Sequence, residues 1–209
     1  MHKSLSQSDV CVQQKIELWA HPRRMFTVQQ IEYDFPVFGG DKRYHVQRVV
    51  VDKPSAVIVL PYDPIMNAVV LIEQVRPVSV LTHAKSPTML ELCAGLIDAG
   101  EQPEQSARRE LSEECGLEVK ALEKIGVYWV SPGWTTEQLY LYCVCVDIRS
   151  RVAYAGKQDE CESIKVMSIT TDMLFSHLDQ GHLDNGGLLT ATLWLARHRE
   201  RLQQAWQTL

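Results

Sequence analysis

From Gly95 to Leu117 the chain carries a spacing that chance does not supply. A glycine is followed after five residues by Glu101, after seven more by Arg109-Glu110-Leu111, and then by Glu113-Glu114 and Gly116-Leu117. Average residue frequencies multiplied over these positions give about one accidental match in ten million for a chain this long. The segment predicts a helix from about Pro103 to Cys115. Pro103 suits a first turn, Glu104 suits its positive dipole end, and Gly116 can stop it in a left-handed cap. Glu110, Glu113 and Glu114 then lie at i, i+3 and i+4 and share one face, where like charges repel by roughly a few tenths of a kcal/mol. On an arbitrary helix a solvated acidic face would explain them. Here they converge on a glycine loop that ends at another acid, Glu101, and hard divalent cations such as Mg²⁺ are held by a few carboxylates together with substrate phosphates. Metal binding is the better account. Arg109, four residues before Glu113, can pair with it and leave Glu110 and Glu114 for the ion.

The rest of the composition narrows the setting. With 209 residues the chain can bury one sizeable core, and 45% apolar against 22% charged residues is a globular balance. A formal charge of -5 gives no electrostatic footprint for nucleic acid. Met1 to Lys15 is polar, and no stretch approaches the roughly 18 apolar residues of a membrane span, so a cytoplasmic protein with no membrane partner is expected. The six cysteines include no C-x-x-C pair and read as reduced, mostly buried thiols.

Along the chain, Phe26–Tyr33 and Tyr44–Val51 alternate apolar and polar residues around the turn signal Gly39-Gly40-Asp41, which predicts an antiparallel pair. Ser55–Leu60 and Ala68–Gln74 predict buried strands joined at Tyr62-Asp63-Pro64, followed by a loop over Leu81–Thr88. Further strands are expected at Met89–Ala94, Val119–Val130, Gln138–Asp147 and Ser163–Ile169, with a polar loop over Arg151–Glu162. Helices are expected at Met173–Leu178 and Gly187–Gln207. The division expected is an amino-terminal antiparallel β region over residues 1–53 and a catalytic domain over 54–209.

The Gly95–Leu117 segment resembles the Nudix box in full, with no departure at any fixed position. The resemblance implies an α/β fold, a Nudix α/β/α sandwich with a mixed sheet, plus the small amino-terminal antiparallel region. It implies hydrolysis of a nucleoside diphosphate linked to another group, with Mg²⁺ or Mn²⁺ as cofactor. By the same resemblance Glu110 and Glu114 are metal ligands, the Ala94 carbonyl is a further ligand, and Glu113 and Arg109 assist, with Glu101 supporting. Three stretches outside the box are similar to the ADP-ribose pyrophosphatase branch: Val70–Arg76, Ser131–Glu137, and Asp184-Asn185-Gly186 before a helix rich in Leu and Trp. They imply that Arg76 contacts the pyrophosphate and that the loop carrying Ser131 and Glu137 binds substrate, Glu137 at the terminal ribose. Trp134 stands where a small residue is common.

In that branch an acidic loop supplies the base, which here implies Glu160 as base and Glu162 as metal ligand, although carboxylates two residues apart can exchange roles. An unperturbed carboxylate is a poor base at neutral pH, but metal-bound water gives up its proton readily. Arg48 can contact substrate or be an exposed strand arginine; Phe26 or Met25 can stack on adenine or pack in a core or dimer interface. Related enzymes are homodimers, so a homodimer is expected by analogy. Rival readings are a GDP-mannose or UDP-glucose pyrophosphatase, a regulator that binds ADP-ribose without cleaving it, and an RNA-decapping or nucleotide-sanitising enzyme. Intact Glu110, Glu113 and Glu114 argue against the regulator.

Overall fold

Two runs apolar at almost every position, Ala56–Asp63 (β4) and Ala68–Val75 (β5), are buried along nearly their whole length and anchor the larger of two compact units. The structure is a computed structural model describing residues 5–23, 25–157 and 161–209. One unit comprises Met1–Ser55 and Tyr128–Gln138, the other Ala56–Val127 and Leu139–Leu209.

In the first unit, β1 (Cys11–Ala20), β2 (Thr27–Pro36) and β3 (Arg43–Asp52) form an antiparallel sheet in that order. The expected pair is β2 and β3, joined in register from Thr27↔Asp52 to Pro36↔Arg43. β1 was not anticipated, for a physical reason. Register shifts between Val12 and Gln14 and between Glu17 and Trp19 break its two-residue alternation, and nine of its ten positions are exposed. The 131–137 loop is laced to the end of β3: the Val51 N–H donates to the Trp134 carbonyl at 2.7 Å and the Thr136 N–H to the Val51 carbonyl at 3.0 Å.

The second unit holds an eight-stranded mixed sheet. Its main path runs β10 (Tyr154–Ala155), β11 (Ile164–Thr170), β5, β4, β9 (Gln138–Cys145), β8 (Ala121–Trp129), with β4 and β9 parallel. β4 and β5 pair only at Tyr62↔Val69 and Asp63↔Ala68 and then diverge. Two short strands fill the fork: β6 (Thr88–Glu91) pairs with β5, and β7 (Cys93–Leu96) pairs with β4. The sequence predicts one strand over Met89–Ala94; the chain breaks it at Leu92 because its halves serve different neighbours. Just before the stretch expected as a loop, Pro77–Leu81 forms the short helix α1, which the sequence reading did not anticipate, and β6 begins at Thr88.

Alternation along the strands sorts the core into two layers. Val57, Val59, Val70, Ile72, Tyr142 and Val144 pack with Ala107, Leu111 and Cys115 of α2 (Pro103–Cys115). On the other face, Gly187 of α4 (Gly186–Trp206) lies so close to Ile58 that a methyl group there would overlap it. Leu188, Ala191, Leu195 and Leu202 of α4 are buried, as is Leu174 of α3 (Thr171–Asp179). Helices therefore cover both faces of the mixed sheet, the α/β/α sandwich expected.

Candidate active site

The helix α2 begins and ends where the sequence places it. Gln102 and Gln105 form a reciprocal cap, Pro103 occupies the first turn, and Gly116 closes the helix at φ 66°, its N–H donating to Ser112 at 3.0 Å. Ala107, Leu111 and Cys115 face the core, so the residues between them turn Glu110, Glu113 and Glu114 to the edge of the sheet near β7. Gly95 is required there: any β-carbon on it would fall on the Glu110 carboxyl group.

Ala94, Gly95, Glu110, Glu113, Glu114, Lys157 and Glu162 border one cleft of about 330 Å³. Glu114 is buried and its Oε2 accepts from the Ala94 N–H at 3.0 Å. Burial pushes its carboxyl up to about 7, against the opposing hydrogen bonds from Cys93 and Ala94. Burial also raises Glu110, opposed by Arg109. Glu101 shows the reverse: the Arg109 guanidinium and the Ser106 hydroxyl, the latter at 2.6 Å, hold its carboxyl down at about 2.

Arg109 makes the expected i,i+4 pair with Glu113, but only at long range. Its short contacts go to Glu101, at 2.8 and 3.1 Å, and to Glu110 at 2.6 Å, while Glu113 lies at 3.7 Å. Lys157 makes the shorter pair with Glu113, at 3.0 Å. Glu110 and Glu114 are therefore not free, and among the described residues no group of three or more His, Cys, Asp or Glu side chains that could hold a metal ion is present. The donor chemistry nevertheless fits a hard divalent cation. Three carboxylates and a backbone segment face a polar cleft, two of those carboxylates are burdened by burial, and their present partners are a guanidinium and a peptide N–H that an ion can replace. Glu162 joins this set; Glu160 lies outside the described residues.

Arg76, at the end of β5, donates through Nε and Nη2 to Oε2 of the buried Glu91 at 2.7 and 2.6 Å. Glu91 was not singled out in the sequence, since one acid in a short strand carries no spacing signal. The remaining candidates belong to the first unit. Arg48 is exposed on β3 and donates to the Gln47 carbonyl. Phe26 packs against Trp19 and His21, with ring centroids 5.5 and 5.4 Å away. The Ser131 carbonyl accepts from the Trp134 and Thr135 N–H groups, and Glu137 forms a 2.7 Å ion pair with Lys53, another residue that sequence reasoning missed. Trp134 is 57% exposed. The described cysteines are all free thiols.

Comparison with known proteins agrees with this geometry. Residues 52–183 match the NUDIX domain. An ADP-ribose pyrophosphatase of Haemophilus influenzae is 33% identical over 211 residues, covering 98% of this chain and 97% of that protein. One from Escherichia coli is 32% identical over 184 residues, 88% of each. A GDP-mannose pyrophosphatase of Citrobacter koseri is 31% identical over 161 residues, 77% of this chain and 83% of its own length. A crystal structure described as an ADP compounds hydrolase shares the fold, with a TM-score of 0.66 at 20% identity, covering 93% of this chain and 98% of that one. With a family match over more than half its length and the box helix folded as the motif requires, the chain belongs to the Nudix family of hydrolases.

Proposed function

We propose that this protein is a Mg²⁺-dependent ADP-ribose pyrophosphatase that hydrolyses ADP-ribose to AMP and ribose 5-phosphate. The observation that carries the reading is the cleft in which Glu110, Glu113, Glu114 and Glu162 meet beside Ala94. Similarity to ADP-ribose pyrophosphatases over nearly the whole chain supports the choice of substrate.

In this reading Glu110, Glu114, Glu162 and the Ala94 carbonyl hold Mg²⁺, with Mn²⁺ able to replace it. When bound, the ion supplies charge compensation for the pyrophosphate and a more acidic attacking water. Glu160 accepts the proton of that water. Arg109 keeps Glu110 and Glu101 oriented from the side, and Glu113 is held by Lys157. Arg76 donates to a pyrophosphate oxygen. Arg48, Ser131, Glu137 and Phe26, residues of the first unit, are the further substrate-binding residues of this reading, and the Lys53 pair fixes the Glu137 carboxylate. That unit also serves a homodimer. The apolar groups on its sheet, including Val12 at 60% and Leu18 at 51% exposure, suit burial against a second copy. No helix among the described residues is long and apolar enough to cross a membrane. Action on a small soluble substrate in the cytoplasm belongs to the same proposal.

A GDP-mannose pyrophosphatase is the second reading, favoured by the 31% identical relative. Mononucleotide release from equal concentrations of ADP-ribose, GDP-mannose and UDP-glucose, with Mg²⁺ and then with EDTA, tests the proposal. Preference for ADP-ribose that EDTA abolishes is expected; preference for GDP-mannose selects the second reading, and no turnover rejects both.

A further inference from the structure

We infer that Glu91 and Asn185 are positioning residues that set the substrate-facing edge of Arg76, so that the start of α4 helps determine substrate affinity. The inference rests on the proposed contact between Arg76 and the pyrophosphate. Its own support is a chain of hydrogen bonds within the second unit.

The backbone of Arg76 is fixed on both sides. Pro77 disfavours a helical conformation in the residue before it, and Arg76 is accordingly extended at φ -116° and ψ 132°, with its N–H bonded to the Pro87 carbonyl at 3.0 Å. Its side chain is fixed by Glu91. Ile72, directly opposite Glu91 in the β5–β6 ladder, shares one face of β5 with Gln74, and Arg76 follows in the same phase. The Gln74 Nε2 donates to Glu91 Oε2 at 3.3 Å, and both Nε and Nη2 of Arg76 converge on that same oxygen.

The second carboxylate oxygen is also committed. Oε1 of Glu91 accepts from the Asn185 Nδ2 at 3.0 Å, while the Asn185 Oδ1 accepts from the Leu188 N–H at 3.0 Å and so caps α4. Glu91 is 6% exposed, and a carboxylate removed from water needs this full set of donors. Two donors of Arg76 are consumed on one edge, and its Nη1 has no protein acceptor among the described residues. The guanidinium is a rigid fork, so fixing one edge fixes the direction of the other. A pocket lined by Gln74, which also donates to Glu91, and by Val75, Cys161, Glu162 and Ser163 shares Glu162 with the carboxylate cleft. A diphosphate whose one phosphate sits among the carboxylates would extend past Glu162 to Gln74, two residues before Arg76. The chain thus carries an orienting relay in which the α4 cap holds Glu91, Glu91 holds Arg76, and Arg76 meets the anion.

The test is a set of kinetic measurements on the full-length protein with ADP-ribose and saturating Mg²⁺. Glu91→Gln is expected to raise KM about tenfold with kcat changed less than about twofold, because binding and not chemistry depends on the held edge. Asn185→Asp keeps a good helix cap, loses the amide donor and sets a second carboxylate against Glu91. It is expected to raise KM in the same direction, and decides the matter if Glu91→Gln does not fold. In an Arg76→Ala background neither change should move KM further. Equal effects of Glu91→Gln with and without Arg76, or an unchanged KM in Asn185→Asp, would overturn the relay while leaving Arg76 as a substrate contact. An unchanged KM in Arg76→Ala alone would remove the contact on which the relay acts, a different failure that also overturns it.

Discussion

Arg109 meets Glu101 at two points, its Nε donating to Oε1 at 3.1 Å and its Nη2 to Oε2 at 2.8 Å. The same guanidinium reaches the Leu96 carbonyl at 3.1 Å, so the loop from β7 to α2 is pinned to the helix it feeds. Glu101 is held at about 2, below its ordinary 4.5. A depressed carboxylate stabilises the fold above the unfolded value and ceases to do so as pH falls toward the folded value. Glu101→Gln should therefore melt at lower temperature than the parent at neutral pH. The gap should narrow between about pH 4.5 and about pH 2. Thermal melts of metal-free protein across that range check it; a gap that widens on acidification would contradict it.

Gly95→Ala tests the close approach of β7 to α2. The new methyl would occupy the place of the Glu110 carboxyl group, the mobile end of a side chain, so the fold should survive while that carboxylate swings away. A fall in kcat of at least about tenfold, with melting temperature lowered by only a few degrees, is expected by order of magnitude. Metal titration followed by calorimetry should show the weakened site directly.

Lys157→Ala removes the nearer of the two cations beside Glu113. Both side chains are more than a third exposed, at 45% and 36%, so the pair contributes at most about 1 kcal/mol to stability. The expected outcome is a nearly unchanged denaturation midpoint and a several-fold loss of activity through the freed Glu113 carboxylate. A large loss of stability with full activity would show the pair to be structural only.

Glu114→Gln should reduce kcat by more than about 100-fold, beyond the effect typical of residues that merely support a metal ligand. Mg²⁺ should also raise the melting temperature of the parent and not of the variant, since a ligand that binds only the folded state stabilises it by mass action. Differential scanning calorimetry with and without Mg²⁺ reads both proteins. Equal shifts would mean that the ion binds elsewhere.

The helix from Pro103 to Cys115 was legible to the residue because proline, acid and glycine mark its ends in a way that depends only on local geometry. β4, β5 and the long final helix were legible because their apolar periods are unbroken. β1 was not, since two register shifts scramble its alternation, and the break at Leu92 was not, since nothing local distinguishes one buried strand from two that part company. The carboxylate cluster followed from spacing along one helix. The partners of its charges did not. Arg109 reaches Glu101 and Glu110 more closely than Glu113 one helical turn away, Lys157 makes the shorter pair with Glu113, Lys53 took Glu137, and Glu91 gathered four donors from Gln74, Arg76 and Asn185. Such pairings are made across the fold, where sequence separation carries no information.

The fork between β4 and β5 gives this protein a fixed gauge. Glu91, which grips Arg76, and Ala94, beside the carboxylates, are separated by Leu92 and Cys93 alone, both buried, and are locked into ladders with different strands. Inserting or deleting one residue here would rotate one ladder's side chains to the opposite face of the sheet. The distance between the residue that grips Arg76 and the backbone beside the carboxylates is therefore not open to adjustment by length change, and a shift toward longer or shorter substrates would have to arise in the surrounding loops, leaving this four-residue stretch invariant in length.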